Sequence, residues 1–324
     1  MKSRTLPLLA ALSLSTAAFA APVAQEPVPP NRTLEAGTPQ PAVWLLSDAD
    51  TRIYLFGTNH VLPHDFSWRS PDLDLIISNA DELVMEVMVE EAIDLFSDAE
   101  NFSEFIFLEE PVPILDRIDR EYRMPLRVML KGYGLEAREF DAFQTWFITF
   151  SLIGLALGET YGTAGDSETD YDALNAGYEM TGVEYQLTEI FTAREIPIGA
   201  VETSMDQIDF FRSLSEDGQR NMLESMVELE PEESEILTVE DTLQVWVTGD
   251  VSSMDAECDD EANFPPELRE IILTRRNASW TEWLIHRLEE LGNTLFAVGA
   301  CHLAGSGSVQ TLLEASGYSV ERVY

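Results

Sequence analysis

Residues 52–60, RIYLFGTNH, decide the architecture of this chain. Ile53, Tyr54, Leu55 and Phe56 are apolar without alternation, so a strand here is covered on both faces, as in a sheet with helices on each side. The run stops at Gly57, and His60 follows three residues later. Residues 295–302, LFAVGACH, repeat the design: an apolar strand, a stop at Gly299, and His302 three residues on. Glycine lets the chain bend sharply or approach another group closely. In α/β sheets, ligands collect beyond the carboxyl ends of the strands. Two of the four histidines in the chain fall in this setting.

Working outward, residues 42–46 and 52–56 form a hairpin across the polar turn 47–51. Ser70 and Pro71 open a helix with Leu73, Ile76 and Ile77 on one face. Residues 82–87, ELVMEV, return as a second buried strand. From 91 to 178 the pattern is helical and irregular. Within it, residues 143–157 are strongly apolar, yet too short to span a membrane and interrupted by Gln144, Thr145, Thr149 and Ser151, so they read as a core helix. A helix over 183–195 leads to a strand over 196–201 ending at Glu202. Helices fill 204–228 and 266–291, a strand covers 295–298, and a helix over 308–315 stops at Gly317 before a strand over 318–323. Strands separated by helices predict an α/β fold: a central mixed or mostly parallel sheet, flanking helices and a helical insertion at about 91–180, in one domain from 41 to 324.

The first twenty residues carry Lys2 and Arg4, an apolar stretch through Phe19, and the small-x-small ending Ala18-Phe19-Ala20. This is the pattern of a secretory signal cleaved after Ala20, which implies a periplasmic or secreted protein. Residues 21–40 read as a Pro-rich linker. The 59 acidic against 19 basic residues give a formal charge of −40, which repels nucleic acid phosphates and anionic lipid, so neither is expected as a partner. Acidic runs at 224–240 and 255–261 lack the spacing of a calcium loop and read as solvated surface. An exported chain is permitted a disulfide. Still, Cys301 lies in an apolar run and Cys258 reads as part of an acidic loop, which favours two unpaired thiols. A Cys301–His302 dyad is disfavoured, because neighbours on an extended segment face opposite ways.

Carboxylates fall at matching places. Glu86 sits at the end of ELVMEV, Glu202 ends residues 196–202, and Glu184 lies at a helix start. An acid within an apolar strand requires a partner or a cation. Two imidazoles with a carboxylate suit Zn²⁺, Mn²⁺, Co²⁺ or Fe²⁺; such an ion acidifies bound water and polarises a carbonyl. Spacing alone leaves other readings open. Either histidine can be a core residue bonded to backbone, and Glu86 and Glu202 can pair with Arg276 or Arg194. His64 reads as a loop residue near the site, and His286 as a packing residue on its helix.

Four blocks occur in order: LFGTNHVLP with W-x-S-P and ADELVMEV; GVEYQL with REIPIGAVET; TRRNASW; and FAVGACHLAGSGSVQTLLEASGYSVERV. Together they resemble the TraB/GumN family from about residue 41 to the end. The resemblance implies a fold like the erythromycin-esterase and ChaN-like group, and a metal-dependent hydrolase, best a peptidase like the family's animal relatives, the Tiki proteins. It matches His60, His302 and Glu86 to the metal-linked positions. Arg276 and Asn277 match its R-N pair and would orient substrate or the developing oxyanion; Glu184 and Glu202 match its central acids, candidates for a general base. The expected substrate is a peptide or another small envelope compound. The resemblance equally allows a protein that sequesters a peptide or haem-like ligand, or an accessory factor in envelope polysaccharide assembly. Cys301 departs from the small residue usual before the last histidine.

Overall fold

The computed structural model describes residues 37–63, 66–89, 91, 99–161, 182–227, 239–261 and 264–323. The expected signal segment, most of the linker, His64, residues 92–98 and 162–180 of the expected insertion and residues 228–238 of the first acidic run lie outside the described residues.

Six strands form one sheet: β1 (Val43–Ser47), β2 (Thr51–Thr58), β3 (Glu82–Met85), β4 (Ile198–Ala200), β5 (Gly292–Gly299) and β6 (Val320–Arg322), in the order β4-β3-β5-β2-β1-β6. β2 and β3 run parallel to β5, and β4 runs parallel to β3. β1 is antiparallel to both β2 and β6. The fold is α/β with a mixed sheet. The expected hairpin is present, with Val43 opposite Phe56 and Ser47 opposite Arg52.

The missing alternation in β2 has a simple cause. Tyr54 and Phe56 join the core on one face with Leu83, Met85, Leu295 and Ala297, covered by helices Pro71–Asn79 and Val183–Ala193. Ile53 and Leu55 join the core on the other with Val84, Phe296 and Val298, covered by helices Arg275–Arg287 and Val309–Ala315. Neighbours on a strand point to opposite faces, so a sheet with two covered faces needs an apolar residue at every position. Burying one such side chain is worth about 1.5–3 kcal/mol, which fixes the strand against slippage.

A separate helical core gathers Trp146, Phe147, Ile148 and Leu152 from helix Thr145–Tyr161 with Leu126, Leu130, Met222, Leu223 and Leu268. The apolar side chains of this helix from Trp146 to Leu152 thus pack against protein, and no helix among the described residues is long and apolar enough to cross a membrane.

Several expected boundaries are corrected. The helix over 204–228 is two, Ser204–Arg212 and Glu216–Ser225, because Ser215 caps a fresh N-terminus through the Gly218 amide at 3.0 Å. The helix over 266–291 begins as Pro266–Arg269, widens into a π turn over Glu270–Thr274 and continues as Arg275–Arg287. β4 is trimmed to Ile198–Ala200. Glu224, expected on solvated surface, is buried and accepts the Asp119 amide at 2.6 Å. His286, expected to pack, is exposed on its helix. The two cysteines, expected to stay apart, form a disulfide with Cα atoms 5.5 Å apart. Cys258 belongs not to an acidic loop but to helix Val251–Cys258, where it is buried.

Candidate active site at the carboxyl edge of the sheet

Strand register brings the two G-x-x-H motifs together. β5 lies between β3 and β2, and Thr58 pairs with Gly299 at the end of the ladder. Met85 pairs with Ala297 on the other side and with Ala200 beyond it. The ladder extends one step further, the Glu202 amide donating to the Glu86 carbonyl at 2.9 Å. Four parallel strands therefore finish in one row, and His60, Glu86, Glu202 and His302 emerge from the same edge. His302 rides on a 3-10 turn, Ala300–Leu303, rather than on an extended segment. With Cys301 in the disulfide, a Cys301–His302 dyad has no basis.

Each histidine has one ring nitrogen fixed. His60 Nδ1 lies 2.8 Å from Glu184 Oε1, which also accepts the Thr58 hydroxyl. Glu184 comes from the helix Val183–Ala193, docked by the Val183 amide on the Asn59 carbonyl at 3.1 Å. The approach requires Gly182, because a Cβ there would stand 2.0 Å from the His60 carbonyl oxygen. On the other side, His302 Nδ1 lies 2.6 Å from Asn277 Oδ1, and Asn277 Nδ2 donates to the Gly307 carbonyl at 2.8 Å. His302 is buried, whereas the His60 side chain is 45% exposed.

Between the rings stands Arg276. Its Nε and Nη2 fork onto Glu202 at 2.8 and 2.7 Å, and Nη2 also donates to Glu86 Oε2 at 2.5 Å. Nη1 reaches the Ile272 carbonyl at 3.1 Å and His302 Nε2 at 3.2 Å. Trp280 donates to Glu202 Oε1 at 2.9 Å, lies under the guanidinium at 4.7 Å, and its ring centre is 4.3 Å from that of His302. Gln207 adds a bond to Glu202 Oε2 at 3.1 Å. Arg194, the other suggested partner for these acids, instead caps the carbonyls of Ile77 and Ser78, each at 2.7 Å.

Protonation follows from these contacts. Partial loss of hydration at the inner edge of the His60 ring works against its charge, but the charge and hydrogen bond of Glu184, together with Glu86, outweigh it and push the imidazole up to about 9. Burial dominates at His302 and pushes it down to about 3, against the pull of Glu86. Burial opposes an ionised Glu86, yet Arg276 beside it holds the carboxyl well below its usual range. Glu202 is raised by burial, with Arg276 acting against the shift. Glu184 is lowered, the His60 charge outweighing burial.

Residues 42–322 match the TraB/PrgY/gumN family. The chain belongs to that family. It is similar to YbaP of Escherichia coli (strain K12), a protein described as uncharacterized: the two are 22% identical over 273 residues, covering 84% of this chain and 92% of YbaP. YbaP of Shigella flexneri matches to the same extent. No solved structure matches the chain.

The residues can be weighed as ligands for a divalent ion. A Cβ at Gly299 would lie 3.2 Å from both Glu86 Oε1 and His60 Nε2, and 3.6 Å from His302 Cδ2, so the three candidate ligands border one space kept open by a glycine. Metal-ligating histidines usually donate their other ring N–H to a carboxylate or carbonyl, and Glu184 and Asn277 supply such acceptors here. Glu86 Oε1 and His302 Nε2 are 3.7 Å apart, close to the separation of about 3.4 Å expected for two ligands on a tetrahedral zinc. Among the described residues, no three His, Cys, Asp or Glu side chains already form a group that could hold a metal ion. The donor types, and the bonds from Glu184 and Asn277 to Nδ1 of the two rings, suit an ion, while Arg276 lies across two of the donors.

Sequence reasoning missed Thr58, Gln207 and Trp280 as members of this site. Trp280 was within reach: in RRNASW it stands four residues after Arg276, hence on the same helix face.

Proposed function

We propose that this TraB/PrgY/gumN member is a hydrolase acting in the cleft over Gly299, with a divalent ion held by His60 Nε2, His302 Nε2 and Glu86. The observation that carries the reading is the convergence of two imidazoles, each with Nδ1 tied to a dedicated acceptor, on the space beside the bare Gly299 Cα. When bound, the ion would supply an acidified water and a polarised carbonyl. The chain's own residues do the rest. Glu184 and Asn277 set which nitrogen of each ring faces the cleft. Arg276, anchored on Glu202, holds the Glu86 carboxylate in place. Of the two acids considered as general base, Glu202 is engaged by Arg276, Trp280 and Gln207. Glu184, held at Oε1 by His60 and Thr58 rather than by an arginine, would therefore act as the base. The substrate class that suits such a site is a peptide or related carbonyl compound, and an exported chain would meet it in the envelope.

The test is a Co²⁺ titration of the purified protein followed by its visible absorption, repeated on His60→Ala and His302→Ala. One site per chain, lost in both variants, is expected, together with loss of hydrolysis of a peptide library. Unchanged ion binding in either variant refutes the ligand assignment, and hydrolysis that survives in His302→Ala refutes the site.

A further inference from the structure

We infer that Arg276 is the resident cation of the cleft and gates the entry of the ion. This rests on the ion-binding reading above and concerns how that same site is regulated. The hydrogen bonds fix the tautomer of His302. Asn277 Nδ2 donates to the Gly307 carbonyl, so Asn277 Oδ1 is an acceptor and His302 Nδ1, 2.6 Å away, is the donor. The lone pair of neutral His302 is then on Nε2. A guanidinium has five N–H donors and no acceptor, so Arg276 Nη1, 3.2 Å from Nε2, donates to that lone pair.

The same side chain covers a second candidate ligand, with Nη2 on Glu86 Oε2 at 2.5 Å. A permanent positive charge thus sits on two of the three groups an ion needs. It opposes the ion by like-charge repulsion in a buried setting and by competition for the donors themselves. For an ion to enter, Nη1 has to give up His302 and Nη2 has to give up Glu86. Nη2 is shared between Glu202 and Glu86 and Nη1 between Ile272 and His302, while the Nε bond to Glu202 and the stacking on Trp280 tether the guanidinium as the shared contacts exchange. A π turn next to a functional residue is a recurring arrangement; here it supplies the carbonyl that Nη1 shares with His302.

The experiment compares Co²⁺ affinity in the wild type, Arg276→Gln and Arg276→Lys, by calorimetry and by the absorption band. Arg276→Gln is expected to bind at least tenfold more tightly than the wild type, and to gain more thermal stability from the ion, because Glu86 and Glu202 lose the guanidinium that pairs with both. Arg276→Lys, which keeps the charge but not the fork, is expected to fall between them; should the glutamine variant fail to fold, this comparison carries the test. Binding in the variant but none in the wild type supports the gate in its strongest form. Equal or weaker binding in the variants, with the wild type binding, overturns the gate and leaves the ion site standing. No binding in any form overturns both.

Discussion

Asn277→Leu isolates the tautomer argument, because it removes both polar atoms of Asn277 with little change of volume. His302 is 4% exposed, and its Nδ1 has Asn277 Oδ1 as its shown partner. Gly307 is exposed, so its carbonyl turns to water when Asn277 Nδ2 is lost. One buried donor is therefore left unpaired, which costs about 1–3 kcal/mol. At an unfolding entropy of about 2.1 cal/mol/K per residue, a chain of this size shifts by about 2 °C per kcal/mol, so the midpoint should fall by about 2–6 °C. Loss of the group that hydrogen-bonds the far nitrogen of a metal-ligating histidine typically weakens metal binding by about 10- to 100-fold. Thermal unfolding by circular dichroism gives the first quantity and Co²⁺ titration the second. Imidazole ¹⁵N shifts report the tautomer, which should be uniformly Nδ1–H in the wild type and mixed in the variant. Asn277→Asp keeps an acceptor at Nδ1 and should hold the wild-type tautomer. If Asn277→Leu is as stable as the wild type and keeps the same ring protonation, His302 is not positioned by Asn277 and the reasoning fails.

Three further outcomes are expected. Gly299→Ala, at a φ of −50° that any residue tolerates, should change stability by less than about 1 kcal/mol yet weaken Co²⁺ binding at least tenfold, because its Cβ would enter the space between Glu86 and His60. Arg287→Met should cost about 3–5 kcal/mol by stranding Glu82, a buried acid held by Arg287 and Thr294 at the far edge of the sheet; the double change Glu82→Leu with Arg287→Met should recover most of that, and urea melts read both. Replacing Cys258 and Cys301 by serine should lower stability by up to about 4 kcal/mol, from the 43-residue separation of the bridge, as measured by denaturant unfolding of oxidised and substituted protein.

Much of the fold was legible because the physics is local. Two-faced burial forces continuous apolar strands, so β2, β3 and β5 stand out, as do the Ser70 cap and the Gly317 stop, where φ is +91°. The strand order was not legible. Nothing in the spacing says that β5, from the last third of the chain, inserts between β2 and β3, and that insertion is what aligns Thr58 with Gly299. The cysteine pair was misjudged for a related reason. Acidic neighbours made Cys258 look like loop, whereas Asp250 caps a helix there and Met254 and Cys258 lie on its buried face. The role of Arg276 was half visible: a buried acid in a strand demands a cation, but only the structure shows one guanidinium serving both Glu86 and Glu202.

That sharing explains how the cleft carries so many acids. Glu86, Glu184 and Glu202 are ionisable groups withdrawn from water, and an unpaired carboxylate there would be costly. Arg276 balances one of them in full, and His60, pushed up to about 9 by Glu184, balances a second at neutral pH. One negative charge is left over in a site whose remaining lone pair, on His302 Nε2, is neutral and partly covered. Such an arrangement attracts a cation yet does not hold it rigidly. Under the proposed reading, binding of a divalent ion would require the proton of His60 and the Nη1 contact of Arg276 to be given up together, since each covers a donor on the face beside Gly299. Ion uptake should therefore release a proton near pH 7 and progressively less as the pH rises through about 9, as calorimetry in buffers of different ionisation heat would read; uptake without proton release at pH 7 refutes the charged His60.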